Sequence, residues 1–113
     1  SIFDQVLYDL VQRTPGLTLH LNTAVQDVLL GDDELSARAD LARRPPLDTT
    51  NGWYRRPPCA PRPRIAGVVA RVAHAETELT LRARAFIDAT GDGLVADLAG
   101  CGWRMGTESR AQT

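Results

Sequence analysis

The sequence predicts an α/β chain with an antiparallel sheet set into it, on three observations. Apolar residues recur at helical spacing before Pro15-Gly16, and several later stretches alternate or are β-branched as strands are. The third observation is the stretch "FIDATGDGLVADLAG", Phe86 to Gly100, in which an apolar strand-like run ends in Thr-Gly-Asp-Gly and passes at once into a small, alanine-rich helix.

In "SIFDQVLYDLVQRTPG", Ile2, Phe3, Val6, Leu7, Leu10 and Val11 lie three and four apart, the period of an amphipathic helix that Pro15-Gly16 then stops. "LTLHLNT" follows, with Leu17, Leu19 and Leu21 alternating against Thr18, His20 and Asn22. That predicts a strand with His20 on the face opposite the leucines. "AVQDVLLGDDE" predicts a second strand that ends in the turn Gly31-Asp32-Asp33. From 31 to 64 the pattern breaks down: Pro45-Pro46, Asn51-Gly52, Pro57-Pro58, Pro61 and Pro63 exclude a long helix or a central strand, so a loop or insertion is expected. "RIAGVVARVAH" and "TELTLRARAFIDAT" predict two strands joined through Ala75-Glu76 as a hairpin. The second ends in Phe86-Ile87, suited to a sheet covered on both faces. A short helix is expected from Leu94 to Leu98.

At 113 residues the chain is one domain or part of one. A hydrophobic fraction of 43% and a net charge of −1 describe an ordinary globular composition and argue against general attraction to nucleic acid or anionic lipid. All thirteen basic residues are Arg, which with the abundant Ala suits a GC-rich coding sequence better than a binding device. Cys59, Cys101, His20 and His74 show none of the close-set pairs of a zinc site, and no metal is expected. No apolar stretch approaches the ~20 residues of a membrane helix. A soluble protein is expected, with the cytoplasm favoured over other compartments. The chain starts in mid-pattern at Ser1 and stops at Thr113 without a closing element, so it reads as a piece of a longer protein.

Ligands of α/β folds collect where strands end and helices begin, and "DATGDG" stands at such a place. Gly91 and Gly93 carry no Cβ and can take positive φ, so a ligand could lie directly on the backbone. Thr90 and Asp92 offer a hydroxyl and a carboxylate for sugar hydroxyls. The competing reading is a plain helix start, with Asp92 as its N-cap. A calcium loop beginning at Asp88 fails, because its twelfth position is Ala99 rather than an acid.

"FIDATGDGLVADLAGCGWRMGTESR" resembles the segment that closes the nucleotide-binding sheet in a family of FAD-dependent oxidoreductases of the glutathione-reductase-like class. The family's pattern is a strand into DATGDG, a small-residue helix, an Ala-Gly pair, then Arg-x-Gly-x-Glu. Here those are Phe86 to Gly93, Ala99-Gly100, and Arg104 to Glu108. "LTLHLNTAVQDVLL" resembles the family's parallel strand leading into a β-meander, and "IAGVVARV" and "ELTLRARAFIDAT" resemble the meander's later strands. The resemblance implies that residues 1–113 are part of a Rossmann-like FAD-binding domain with an inserted antiparallel β-meander. It implies FAD as cofactor, a backbone wall of Ala89, Thr90, Gly91, Asp92 and Gly93 along its phosphate-ribose region, a small-molecule substrate, and redox chemistry carried by flavin. The complete protein would be the enzyme. The G-x-G-x-x-G unit is not in this sequence and would lie before Ser1, and the substrate region after Thr113, so this piece alone is expected to be inactive.

"RRPPCAPRPR", Arg55 to Arg64, contains the R-x-x-P-x-x-P spacing of polyproline ligands at Arg55, Pro58 and Pro61. It supports an alternative of another class: a nonenzymatic interaction module that holds a partner through this loop. Trp53, Tyr54 and Trp103 are expected to pack and Cys101 to be a small buried thiol. Arg104 and Glu108, four apart, would either pair on a helix or lead toward the substrate region. No Ser-His-Asp order or paired metal motif gives a hydrolase or metalloenzyme reading residues to stand on.

Overall fold

A computed structural model describes residues 1–50, 53–61 and 63–106. Helix α1 spans Ile2–Arg13. The Ser1 hydroxyl oxygen accepts from the Asp4 backbone N–H at its start, and the Thr14 N–H donates to the Val11 carbonyl at its end. The expected amphipathic helix is therefore present, yet none of its residues is buried.

Strand β1, Thr23–Leu30, lies between β2, Leu35–Ser36, and β4, Ile65–Val72, and β4 pairs in turn with β5, Thr77–Leu81. All three pairings are antiparallel. The alternation in "AVQDVLL" is interrupted at Gln26, where the β1–β4 register shifts by one residue. Gly31, at φ 72°, makes the turn after β1 as expected. Strands β4 and β5 form the expected hairpin, with His74 and Glu76 in its turn in the left-handed region.

Two short elements and a ribbon occupy the region read as an insertion. A 3₁₀ turn covers Leu41–Arg43, and β3, Tyr54–Arg56, pairs antiparallel with β6, Trp103–Met105. Helix α2, Leu94–Leu98, is where the small-residue pattern put it. It packs on the inner face of the four-stranded sheet. The core consists of Val28, Leu30, Ala37, Val68, Val95 and Leu98, with Phe86 and Leu81 against its edge.

Two expected strands are not formed as such. Residues 17–20 run as irregular backbone and 21–22 as a turn, and Leu17, Leu19 and Leu21 are all exposed, as is His20. The strand expected from 77 to 90 stops at Leu81, and 82–90 continue without a ladder. Alternation in sequence prescribes which side chains share a face, but a strand exists only where a second backbone takes up its N–H and C=O groups. Among the described residues no second strand pairs with 17–21 or 82–90, and Asn22 is held only by the Ala73 N–H, which donates to its carbonyl at 2.7 Å. The observed architecture is mixed helix and antiparallel sheet.

Candidate functional site

The junction from Asp88 to Leu94 is a loop braced from behind by its own side chains. The Asp88 carboxylate accepts from the backbone N–H of Thr90 at 2.9 Å, from the Thr90 hydroxyl at 2.6 Å, and from the backbone N–H of Ala96 at 2.8 Å. The same Thr90 hydroxyl oxygen accepts from the N–H of Leu94 at 2.9 Å. One carboxylate and one hydroxyl thus tie the segment entering the loop to the first turn of α2. These donors stabilise the ionised form, the Thr90 hydroxyl first and the Ala96 N–H next, so the Asp88 carboxyl sits below its ordinary value of 3.8.

This arrangement decides against the competing reading of Asp92 as the N-cap. The N-cap position is Gly93, at φ 68°, and no side chain caps there. Thr90 and Asp88 take the role, while Asp92 is exposed and its carboxylate has no hydrogen-bond partner among the described residues. Asp88 is the residue that sequence reasoning passed over. Its signal was the Asp-x-Thr spacing before a helix start, in which a side-chain oxygen can reach the N–H two residues on.

The front of the loop is open. Ala89, Thr90, Gly91 and Asp92 are exposed, and a Cβ built on Gly91 would meet nothing within 4 Å. Gly91 does not have a positive φ, whereas Gly93 does, so only the second glycine is needed for backbone conformation. The absent side chain at 91 leaves room on the outside of the loop for a flat or phosphate-bearing ligand to meet backbone. Beside the loop, Ile87 is 94% exposed.

Behind α2, Asp97 accepts from Trp103 Nε1 at 2.8 Å and pairs with Arg44 at 3.3 Å. Arg56 lies over the Trp103 ring at 5.9 Å and donates to the Pro45 carbonyl at 3.1 Å. Trp103 therefore packs, as expected. Cysteine burial is the reverse of expectation for Cys101, which is exposed, while Cys59 is buried against Gly100. Cys101 follows the last turn of α2, outside the layer that Cys59 closes.

The proline-rich stretch is not a free polyproline peptide. Arg55 belongs to β3, and the N–H of Cys59 donates to the Gly100 carbonyl at 2.9 Å, so its first half is pinned to the domain. Arg104 is in β6 rather than a helix, and Glu108 lies outside the described residues. Among the described residues no group of His, Cys, Asp and Glu is placed to hold a metal, and no helix is long and apolar enough to cross a membrane.

The family model described as FAD dependent oxidoreductase matches residues 1–113. No curated protein and no solved structure matches the chain.

Proposed function

Because the chain belongs to the FAD dependent oxidoreductase family, we propose that residues 1–113 are the central segment of a flavoenzyme's cofactor domain, of the glutathione-reductase-like type, and that the backbone of Ala89, Thr90, Gly91, Asp92 and Gly93 lines the phosphate-ribose region of FAD. The observation that carries this reading is the braced loop with an open front. Asp88 and Thr90 hold it from inside, and the outer surface is bare backbone at Gly91.

The residues present fit such a group. A pyrophosphate-ribose unit needs backbone approach without an intervening Cβ, which Gly91 allows, and hydrogen-bonding groups for hydroxyls, which the exposed Thr90 and Asp92 supply. Asp88 acts as a positioning residue that fixes where the loop's N–H groups point. When bound, flavin supplies the redox chemistry, and the protein contributes position and electrostatics. The antiparallel sheet is then the meander of a Rossmann-like domain, and the segments 17–20 and 82–89 are strands of its parallel sheet.

The substrate, in this reading, is a small molecule that reaches the flavin elsewhere in the complete protein. The alternative of a nonenzymatic partner-binding module is weakened by the pinned proline stretch.

Two measurements test the proposal. Protein purified from its complete reading frame should show the oxidised-flavin absorption bands before any cofactor is added. Gly91→Val should cut flavin retention by about tenfold or more and leave thermal stability within about 0.5 kcal/mol of wild type, because the new side chain meets no part of this chain. Full flavin content in Gly91→Val would remove the loop from the cofactor wall.

A further inference from the structure

Charge is segregated along this chain. Residues 43–64 carry six arginines and a single acid, Asp48, although the whole sequence has a net charge of −1. Three of the six are committed inward. Arg43 donates to the Leu98 carbonyl at 3.4 Å, Arg44 pairs with Asp97, and Arg56 is held between Pro45 and Trp103. They close the carboxyl end of α2, where carbonyl oxygens favour a cation.

Arg55 has a different role. It is exposed, and its Cα partner across the β3–β6 ribbon is another exposed arginine, Arg104. On its far side Arg55 exchanges both backbone hydrogen bonds with Asp48, at 2.7 and 2.8 Å. The Arg55–Arg104 pair is therefore the non-hydrogen-bonded kind, whose side chains stand closest, with Cα atoms about 4.5 Å apart. Cross-strand partners share a face, and like charges directly opposite are destabilising.

Two features hold this repulsive pair in place. The Arg104 guanidinium lies over the Trp53 ring at 6.0 Å, an attraction to the ring face that leaves the in-plane N–H donors available. The ribbon's other face is anchored through Trp103 to Asp97. Asp48, third in the same row, has its carboxylate turned to the backbone N–H of Thr50 at 2.9 Å and to the Thr50 hydroxyl.

We propose that Arg55 and Arg104, with Trp53 beside them, form a binding site for an oxyanion, the carboxylate or phosphate group of a small ligand. Two arginines opposite each other on one face of the ribbon can both direct N–H donors to the oxygens of one such group, and its charge converts the repulsion between them into attraction to a shared partner. The site is built from other residues than the loop at 88–93, so flavin content reports on one and anion binding on the other.

The test is calorimetric titration of the complete flavoprotein, in low-salt buffer, with inorganic phosphate and separately with malonate. Saturable binding of at least one probe is expected, weakened about tenfold or more in Arg55→Gln and in Arg104→Gln and lost in the double variant. Arg71→Gln, at an exposed position on β4, should bind as wild type. The tighter probe identifies the group as phosphate or carboxylate. Without anion the double variant should melt close to wild type, since removal of the repulsive pair offsets the lost attractions of Arg104 to Trp53 and of Arg55 to Asp48, which separates loss of the site from loss of the fold. Absence of saturable binding by both probes, or wild-type affinity in the double variant, overturns the proposal.

Discussion

The loop at 88–93 depends on one carboxylate more than on either glycine. Asp88 gathers two backbone N–H groups and the Thr90 hydroxyl, and these donors hold its folded carboxyl below the ordinary value of 3.8. A depressed acid stabilises the loop fully above the unfolded value, and that contribution disappears as pH falls through the lowered folded one. The expected outcome is flavin release on acidification below about pH 4, followed by absorbance of the filtrate. Asp88→Asn keeps an acceptor oxygen but loses the charge assistance. It should retain less flavin at neutral pH and lose that acid step. An unchanged acid profile in this variant would assign the release to other groups. Gly91 and Gly93 separate in the same way: a branched residue at 93 strains a left-handed backbone, whereas at 91 it meets only what lies outside the loop.

Elements around the loop are joined by close backbone approach rather than by a large core. The segment after β3 meets the α2–β6 connection at Gly102, where a Cβ would lie 2.8 Å from Pro58 Cδ and 3.0 Å from Pro58 N. Neither atom belongs to a side chain that can swing away. Gly102→Ala should therefore cost about 1–3 kcal/mol through overpacking, read as a lower denaturation midpoint with a changed Trp103 signal. A midpoint equal to wild type would show that the ribbon is not held against Pro58. Asp27 performs a similar joining task at the bulge of β1. Partial burial raises its carboxyl, but the Ser36 hydroxyl and the N–H groups of Arg38 and Val28 outweigh that and leave it lowered. It thereby ties β1 to β2 where the ladder is irregular.

At the scale of the molecule, apolar surface is left uncovered. Ile2 and Phe3 on α1 are 81% and 69% exposed, and Leu17, Leu19, Leu21 and Ile87 are also bare. The radius of gyration is 17.5 Å, against about 13–14 Å for a compact chain of this length. Such faces are stable in water only when covered. In the proposed flavoenzyme, 17–20 and 82–89 gain strand partners from the rest of the cofactor domain. Amide hydrogen exchange on the complete protein should then show both segments protected as strands are. Fast exchange throughout 17–20 would exclude that segment from any sheet.

Local chemistry alone was enough to place α1, the β4–β5 hairpin, the turn at Gly31, α2 and the broken proline region, because each rests on near-neighbour rules: a 3.6-residue period, a turn-forming glycine, a proline without an N–H. The junction at "DATGDG" was legible for the same reason. Tertiary structure decided what such rules do not reach. The alternation of Leu17, Leu19 and Leu21 defines a face but supplies no ladder, since backbone partners come from elsewhere in space. The sequence offered Asp92 as the cap, and only the fold of the loop put the Ala96 N–H on Asp88 instead. Arg55 and Arg104, nearly fifty residues apart, became neighbours through the pairing of β3 with β6, and no spacing along the chain encodes a contact that a sheet register makes.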